Sequence, residues 1–285
     1  MLLSKDFGKT WQPASQGLPE DLQVTFMEAK GQEIVLASDN LGVFMTENQR
    51  AQWKQIGEKL PGKKINALHV SGNTIYAGVY KQGLFKTDNE GQSWESLNVG
   101  LPSLTVQSVW SIDDKTLAGT DEGLFILSKG AKSWQPTNIK VQVLSIYEYE
   151  KVLVIGTSQG TAISRDQGEN WTWVRQQGAV HYTHNVGKRI VEFNISGDLF
   201  YSDDFGKNWT ETVYAPREGS YIYEMASVGS VLLMSNNYGI HLSTNQGVNW
   251  ALIYKTEKMA FFDFLTIGNE IYGGMRLWNE YRKRK

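Results

Sequence analysis

Residues 202–209 read Ser-Asp-Asp-Phe-Gly-Lys-Asn-Trp, and the same unit returns with decay along all 285 residues of the chain. Its pattern is a hydroxyl first, Asp or Asn third, Gly fifth and Trp eighth. The unit is clear at Ser4, Asp6, Gly8 and Trp11, at Ser164, Asp166, Gly168 and Trp171, and at Ser202, Asp204, Gly206 and Trp209. Asn replaces Asp at Thr87, Asn89, Gly91 and Trp94, and again at Ser243, Asn245, Gly247 and Trp250. Two copies have decayed: residues 46–53 lack the Gly, and residues 128–134 are one residue short. The tryptophans at 11, 53, 94, 134, 171, 209 and 250 therefore recur about every 40 residues, a period that marks one supersecondary unit stacked on its neighbours.

Each residue type suits a tight turn joining two strands. The Ser202 hydroxyl and Asp204 carboxylate can accept backbone N–H groups that a sheet ladder cannot reach, Gly206 supplies a positive φ, and Trp209 returns a large apolar ring to the core. None of this is catalytic chemistry.

Between tryptophans the order of features is constant. Alternating or apolar runs at 106–112, 116–120 and 123–127 precede the Trp unit, giving four short strands per repeat. Equivalent runs lie at 65–70, 74–78 and 83–86, and at 141–146 and 152–157. About 40 residues carrying four strands is the period of a propeller blade. The chain is thus expected to be all-β, a seven-bladed β-propeller of four-stranded antiparallel blades.

The first unit begins at Ser4, so its blade lacks two inner strands, which residues 261–267 and 270–273 can supply. The ring is expected to close through a blade mixing N- and C-terminal strands. Its third strand comes either from residues 1–4 or from residues 277–281. Residues 1–281 are read as one propeller, and 282–285, Arg-Lys-Arg-Lys, as a solvated basic tail.

Composition narrows the partners. Lys plus Arg total 28 against 30 acidic residues, so the surplus of positive charge that nucleic acid requires is missing. With no cysteine, disulfides, thiolate metal sites and cysteine nucleophiles are excluded. No stretch approaches the roughly 20 apolar residues that span a bilayer, so no transmembrane segment is expected. The first residues are too short for a signal core, and an extracytoplasmic setting, secreted or periplasmic, is expected with its signal absent from this chain.

The repeat resembles the Asp-box, or bacterial neuraminidase repeat, family of β-propellers, over essentially the whole chain. That family includes sialidases, sortilin-type receptors, xyloglucan-cleaving glycosidases and photosystem II assembly-factor-like proteins, so the motif implies an architecture without choosing a function. Gly83-Leu84-Phe85 and Gly123-Leu124-Phe125 are most similar to the assembly-factor-like group. The resemblance implies that the Asp-boxes join third and fourth strands on the face opposite the ligand face.

The ligand face then takes the loops entering each innermost strand and those between second and third strands. The candidate binding residues there are Tyr80, Lys81, Asp121, Arg175, His181, Tyr182, Arg217, Tyr221, Tyr238 and Arg276, with Lys63, Lys64, Glu122 and Glu218 on the same loops. Aligned innermost strands place Thr25, Asn66, Gln107, Gln142, Tyr223 and Phe262 at one position. Its first four members predict a hydrated channel wall.

A sialidase needs three convergent arginines, a Glu-activated Tyr and an acid Asp. Of eight arginines only Arg175, Arg217 and Arg276 fall on ligand-face loops, Arg189 is expected at a turn on the opposite face, and the Arg-Ile-Pro signature near the start of sialidases is absent. Glu224 and Asp263 occupy matching positions in neighbouring innermost strands and are the best acid pair for glycoside hydrolysis, set against a structural role as solvated or paired carboxylates. A single propeller also lacks the second propeller that xyloglucan-cleaving relatives use to form a cleft.

No metal site is read. His181 and His184, three apart on a strand, point to opposite faces, and the box turns offer too few oxygen ligands for calcium. No cofactor is expected either. The sequence therefore points to a non-catalytic binding platform for a protein or an extracellular polymer, with a glycoside hydrolase using Glu224 and Asp263 as the alternative.

Overall fold

The computed structural model describes residues 1–47, 52–186, 189–194, 198–212, 222–229, 231–255 and 259–277. Among these residues every regular element is a strand, and the strands form seven four-stranded antiparallel sheets. Six sheets follow simple chain order, and their innermost strands are Val24–Lys30, Ile65–Ser71, Val106–Ile112, Val143–Tyr149, Val180–Val186 and Ile222–Val228. We number these blades I to VI. Second strands such as Val152–Thr157 are buried at every residue, because a blade is covered on both faces by its neighbours.

Blade VII closes the ring. Its inner strands are Met259–Ile267 and Glu270–Leu277, and its outer two are Leu2–Ser4 and Gln12–Pro13. Leu2 pairs with Gly273, Leu3 with Tyr272 and Ser4 with Ile271. This settles the two candidates for the third strand in favour of the N-terminal segment; Leu277 ends the second strand, and residues 278–285, including the basic tail, lie outside the described residues.

One register differs from the sequence reading. The innermost strand of blade IV runs Val143–Tyr149, two residues later than 141–146, and carries a bulge between Val143 and Ser145. The same bulge recurs after the first residue of the innermost strands of blades I to VI, as at Val24/Phe26 and Ile65/Ala67, and at Phe261/Asp263 in blade VII. Leu144 therefore takes the position assigned to Gln142, and His181 joins the set.

The box turns carry out the predicted hydrogen bonding. In residues 202–209 the Gly206 N–H donates to Ser202 Oγ at 2.7 Å, Asn208 N–H donates to Asp204 Oδ1 at 2.8 Å, and Trp209 Nε1 donates to the Gly206 carbonyl at 3.1 Å. The Asn208 N–H and amide hold the Asp204 carboxyl down at about 2; the Thr10 hydroxyl and N–H do the same for Asp6. The turn needs two left-handed residues, not one: φ is 56° at Phe205 and 85° at Gly206, and the pair recurs at Phe7 and Gly8 (61° and 80°).

Some box glycines also sit hard against the preceding blade, as Gly91, Gly168 and Gly206 do. A Cβ on Gly91 would lie 2.1 Å from the Ile56 carbonyl oxygen, which accepts the Trp94 indole N–H at 3.0 Å. Gly91→Ala is expected to cost about 3 kcal/mol, from roughly 1–2 kcal/mol of left-handed strain plus displacement of that carbonyl. Gly72→Ala, with φ of 57° and nothing within 4 Å, isolates the strain alone. Thermal unfolding followed by circular dichroism separates the two contributions, and equal losses in the two variants would remove the packing role of Gly91.

Candidate functional site

Strand connectivity sorts the loops by face. In an antiparallel blade the third-to-fourth turn shares an end with the first-to-second turn, so the boxes meet those turns of the neighbouring blade. Contacts of this kind are Lys30 with Glu90 at 2.8 Å, Lys115 with Glu169 at 2.6 Å and Gln167 with Asp113 at 2.8 Å. Arg189, bidentate to Asp203 at 2.6 and 2.9 Å, lies at this end too. The opposite end carries the candidate ligand loops.

There Asp39 is the centre of a charged cluster that crosses three blades. It sits in the second-to-third loop of blade I, 6% exposed, and pairs with Arg276 of blade VII and with Lys64 Nζ at 3.3 Å, just before the innermost strand of blade II. Lys64 also lies 4.6 Å from the Tyr80 ring centroid, and Lys81 Nζ lies 5.2 Å from the same ring. Tyr80 is 40% exposed. Together these residues present an aromatic plate between two cations, anchored by a buried carboxylate. Asp121 lies exposed on the equivalent loop of blade III. Asp39 was not singled out from sequence; its equivalence to Tyr80 and Asp121 as a second-to-third loop residue was the available signal.

Other candidates are distributed differently. Arg175 closes the outermost strand of blade IV, and its guanidinium is buried, paired with Glu192 and 3.8 Å from the Phe200 ring centroid. Burial raises the Glu192 carboxyl, with the Thr161 hydroxyl and Arg175 opposing. Arg175 and Arg276 thus stand on blades separated by two others, each matched to its own carboxylate, and Arg217 and Tyr221 lie outside the described residues. His181 is exposed at the bulge position of blade V, while the neighbouring walls lower its pKa by desolvation. Tyr238 is half-buried on the blade VI loop, its N–H donating to Asn236 Oδ1 at 2.8 Å.

Glu224 and Asp263 are brought together, but inside the ring. Both follow a bulge in adjacent innermost strands, and they are 5% and 8% exposed. Tyr182, at the same position of blade V, hydrogen-bonds Glu224; Asp263 accepts the Met27 N–H of blade I. Burial raises both carboxyls well above their usual range, and the Asp263 charge raises Glu224 further. Burial, reinforced by Glu224 and Asp263, raises the Tyr182 hydroxyl as well.

A second chain of the same design continues around the ring. Glu28 of blade I accepts the Val70 N–H of blade II at 2.7 Å and faces His69 Nδ1 at 3.3 Å. His69 Nε2 reaches Ser111 Oγ of blade III at 3.2 Å and stacks on Trp110 at 4.4 Å, and Trp110 Nε1 donates to Glu148 of blade IV at 3.3 Å. In each case a side chain of one innermost strand ties down the next. His184 differs: its Nε2 is buried without a partner, and burial lowers it to about 4. Among the described residues no group of three His, Cys, Asp or Glu side chains could hold a metal ion.

A seven-bladed ring closed by both ends, with box turns on one face and charged loops on the other, defines a β-propeller of the Asp-box repeat type. The BNR/Asp-box repeat family matches residues 200–211, the unit around Ser202. No curated protein sequence matches significantly. Solved structures share the fold at low identity. The extracellular domain of the putative one component system BT4673 from B. thetaiotaomicron superposes with a TM-score of 0.75 at 13% identity, over 92% of this chain and 38% of that one. YCF48 bound to D1 peptide gives 0.72 at 16%, over 91% and 92%. The GH74 xyloglucanase from Xanthomonas campestris gives 0.65 at 16%, over 81% and 45%. This chain therefore spans less than half of the BT4673 domain and of the xyloglucanase.

Proposed function

We propose that this propeller is a non-catalytic platform that binds a protein partner across the face opposite the Asp-boxes, with residues 1–281 acting as one unit. The observation that carries the reading is the Asp39 cluster, where Arg276, Lys64, Tyr80 and Lys81 join three blades into one surface. Tyr and Arg dominate binding energy at protein interfaces because they combine apolar area with directed hydrogen bonds. An anchored Tyr flanked by cations is such a contact. A similar fold binds a peptide in YCF48, and the neighbouring extracellular domain supports an extracytoplasmic setting.

The hydrolase alternative draws on Glu224, whose raised carboxyl suits a general acid, and on the likeness to the xyloglucanase. Against it stands the burial of both carboxylates and their use in holding blades V, VI, VII and I together. Polysaccharide recognition is the remaining alternative.

Tyr80→Ala and Lys64→Glu are expected to weaken partner binding by about tenfold or more each, the loss of roughly 1.4 kcal/mol per contact. Affinity capture with quantified partner recovery, compared between wild type and these variants, tests this. Equal recovery by both variants, or selective retention on a glycan array with none on protein, would reject the proposal.

A further inference from the structure

A groove of about 570 Å³ lies at the outer edge of the ring, between the box turns of blades IV and V. It is unlike the polar turns beside it. Val174, on the outermost strand Thr172–Arg175 of blade IV, and Ile163 of the third strand line one side, and Phe205 of the next box lines the other. A bulge leaves Val174 without a partner across the pair, and Val174 packs with Ile163 on the groove side, while Trp173, paired with Ala162, packs on the other face of the blade. The floor is rigid: a Cβ on Gly206 would lie 2.7 Å from Val174 Cβ.

The charge of the groove is not balanced. Arg165 stands 5.4 Å from the Phe205 ring centroid and Lys207 lies on the same rim, and among the described residues neither has an acidic group within ion-pair reach. Several other cations on this face are neutralised, as Lys115 is by Glu169 at 2.6 Å and Arg189 by Asp203 at 2.6 Å. Asp166, the acid that lines the groove, has both oxygens occupied by Asn170 and by Ser164.

The backbone beside the groove is an open sheet edge. Thr172–Arg175 is the last strand of its sheet and spans four residues, as Gln52–Gln55 does, one fewer than Ala251–Lys255 and two more than Glu95–Ser96, Gln135–Pro136 and Thr210–Glu211. An unpaired edge of this kind offers N–H and C=O groups at strand spacing, which only another extended chain can match in register.

We propose that an extended acidic segment of a partner protein adds as a fifth strand along Thr172–Arg175. It places an apolar side chain against Val174 and Phe205 and a carboxylate between Arg165 and Lys207. The site is separate from the Asp39 cluster, on the other end of the blades, so either can fail without the other.

The test uses fluorescence anisotropy of a fluorescein-labelled peptide about eight residues long, alternating glutamate with valine or phenylalanine, which is the span of an ordinary strand. A companion of equal charge carries two internal prolines, which remove ladder donors. The intact chain is expected to bind the first peptide, with affinity reduced about tenfold or more by Phe205→Ala and by the pair Arg165→Glu and Lys207→Glu, and unchanged by Lys64→Glu. Binding is expected to slow amide exchange at residues 172–175. Absence of peptide binding, equal affinity for the proline companion, or undiminished binding to the variants with their circular dichroism intact would overturn the proposal. So would displacement of the peptide by neutral gluco-oligosaccharides.

Discussion

A chain lacking residues 1–13 is expected to lose its cooperative unfolding transition. These residues supply the two outer strands of blade VII, and their removal uncovers the full edge of Glu270–Leu277. It also removes Leu2 and Trp11 from the cluster built on Phe264 and Ile271, and Leu3 from the cluster built on Tyr272. Trp11 alone stacks on Phe264 at 6.1 Å and meets Tyr254 edge-on at 6.5 Å. Three partly buried apolar side chains at about 1–2 kcal/mol each, with strand and box hydrogen bonds at about 1 kcal/mol each, approach the roughly 5–15 kcal/mol by which a whole domain is stable. Circular dichroism on heating, with gel filtration for aggregation, reads the loss. Adding residues 1–13 back as a peptide is expected to restore part of the transition. A truncated chain that melts at the wild-type temperature would show that the ring does not depend on this closure.

Much of this was legible in the sequence, because the period of the tryptophans fixes the blade count and the alternation between them fixes four strands. Closure was legible only as a choice, since residues 1–4 and 277–281 are both short apolar segments and nothing local decides which meets Glu270–Leu277. The left-handed conformation at Phe205 was hidden by its side chain, as a bulky residue gives no hint of positive φ. The pairing of Glu224 with Asp263 followed from aligned strands, whereas their burial and the link to Tyr182 depend on how neighbouring blades are rotated. Arg175 illustrates the limit for charges near strand ends: Thr-Trp-Val-Arg reads equally well as loop or strand, and only packing against Glu192 and Phe200 buries the guanidinium.

Replacing Glu224 by Gln is expected to stabilise the protein at alkaline pH and leave it nearly unchanged in acid. Both Glu224 and Asp263 have folded-state values raised above their unfolded ones, so the folded chain holds more protons than the unfolded chain as pH rises past the ordinary carboxyl range. Their contribution is fully present below that range and is lost as pH climbs through the raised values. An isosteric amide needs no proton and keeps an acceptor oxygen for the Met225 N–H. The gain at pH 8 is expected to be about 1–3 kcal/mol, the penalty for a poorly compensated buried polar or charged group. The box carboxylates act in the opposite sense: Asp6 and Asp204, held down at about 2, contribute above their unfolded values and lose that contribution as pH falls from about 4 toward 2. Denaturant titrations of wild type and Glu224→Gln at pH 5 and pH 8 give the difference. A variant less stable than wild type at pH 8 would mean that the charged pair holds the ring together.

The direct test of a binding platform over a hydrolase is turnover. Purified chain incubated with sialosides, xyloglucan and β-glucans is expected to release no sugar above a protein-free blank, and Glu224→Gln and Asp263→Asn are expected to match it. Release by the wild type that either substitution abolishes would place Glu224 and Asp263 in an active site and contradict the account.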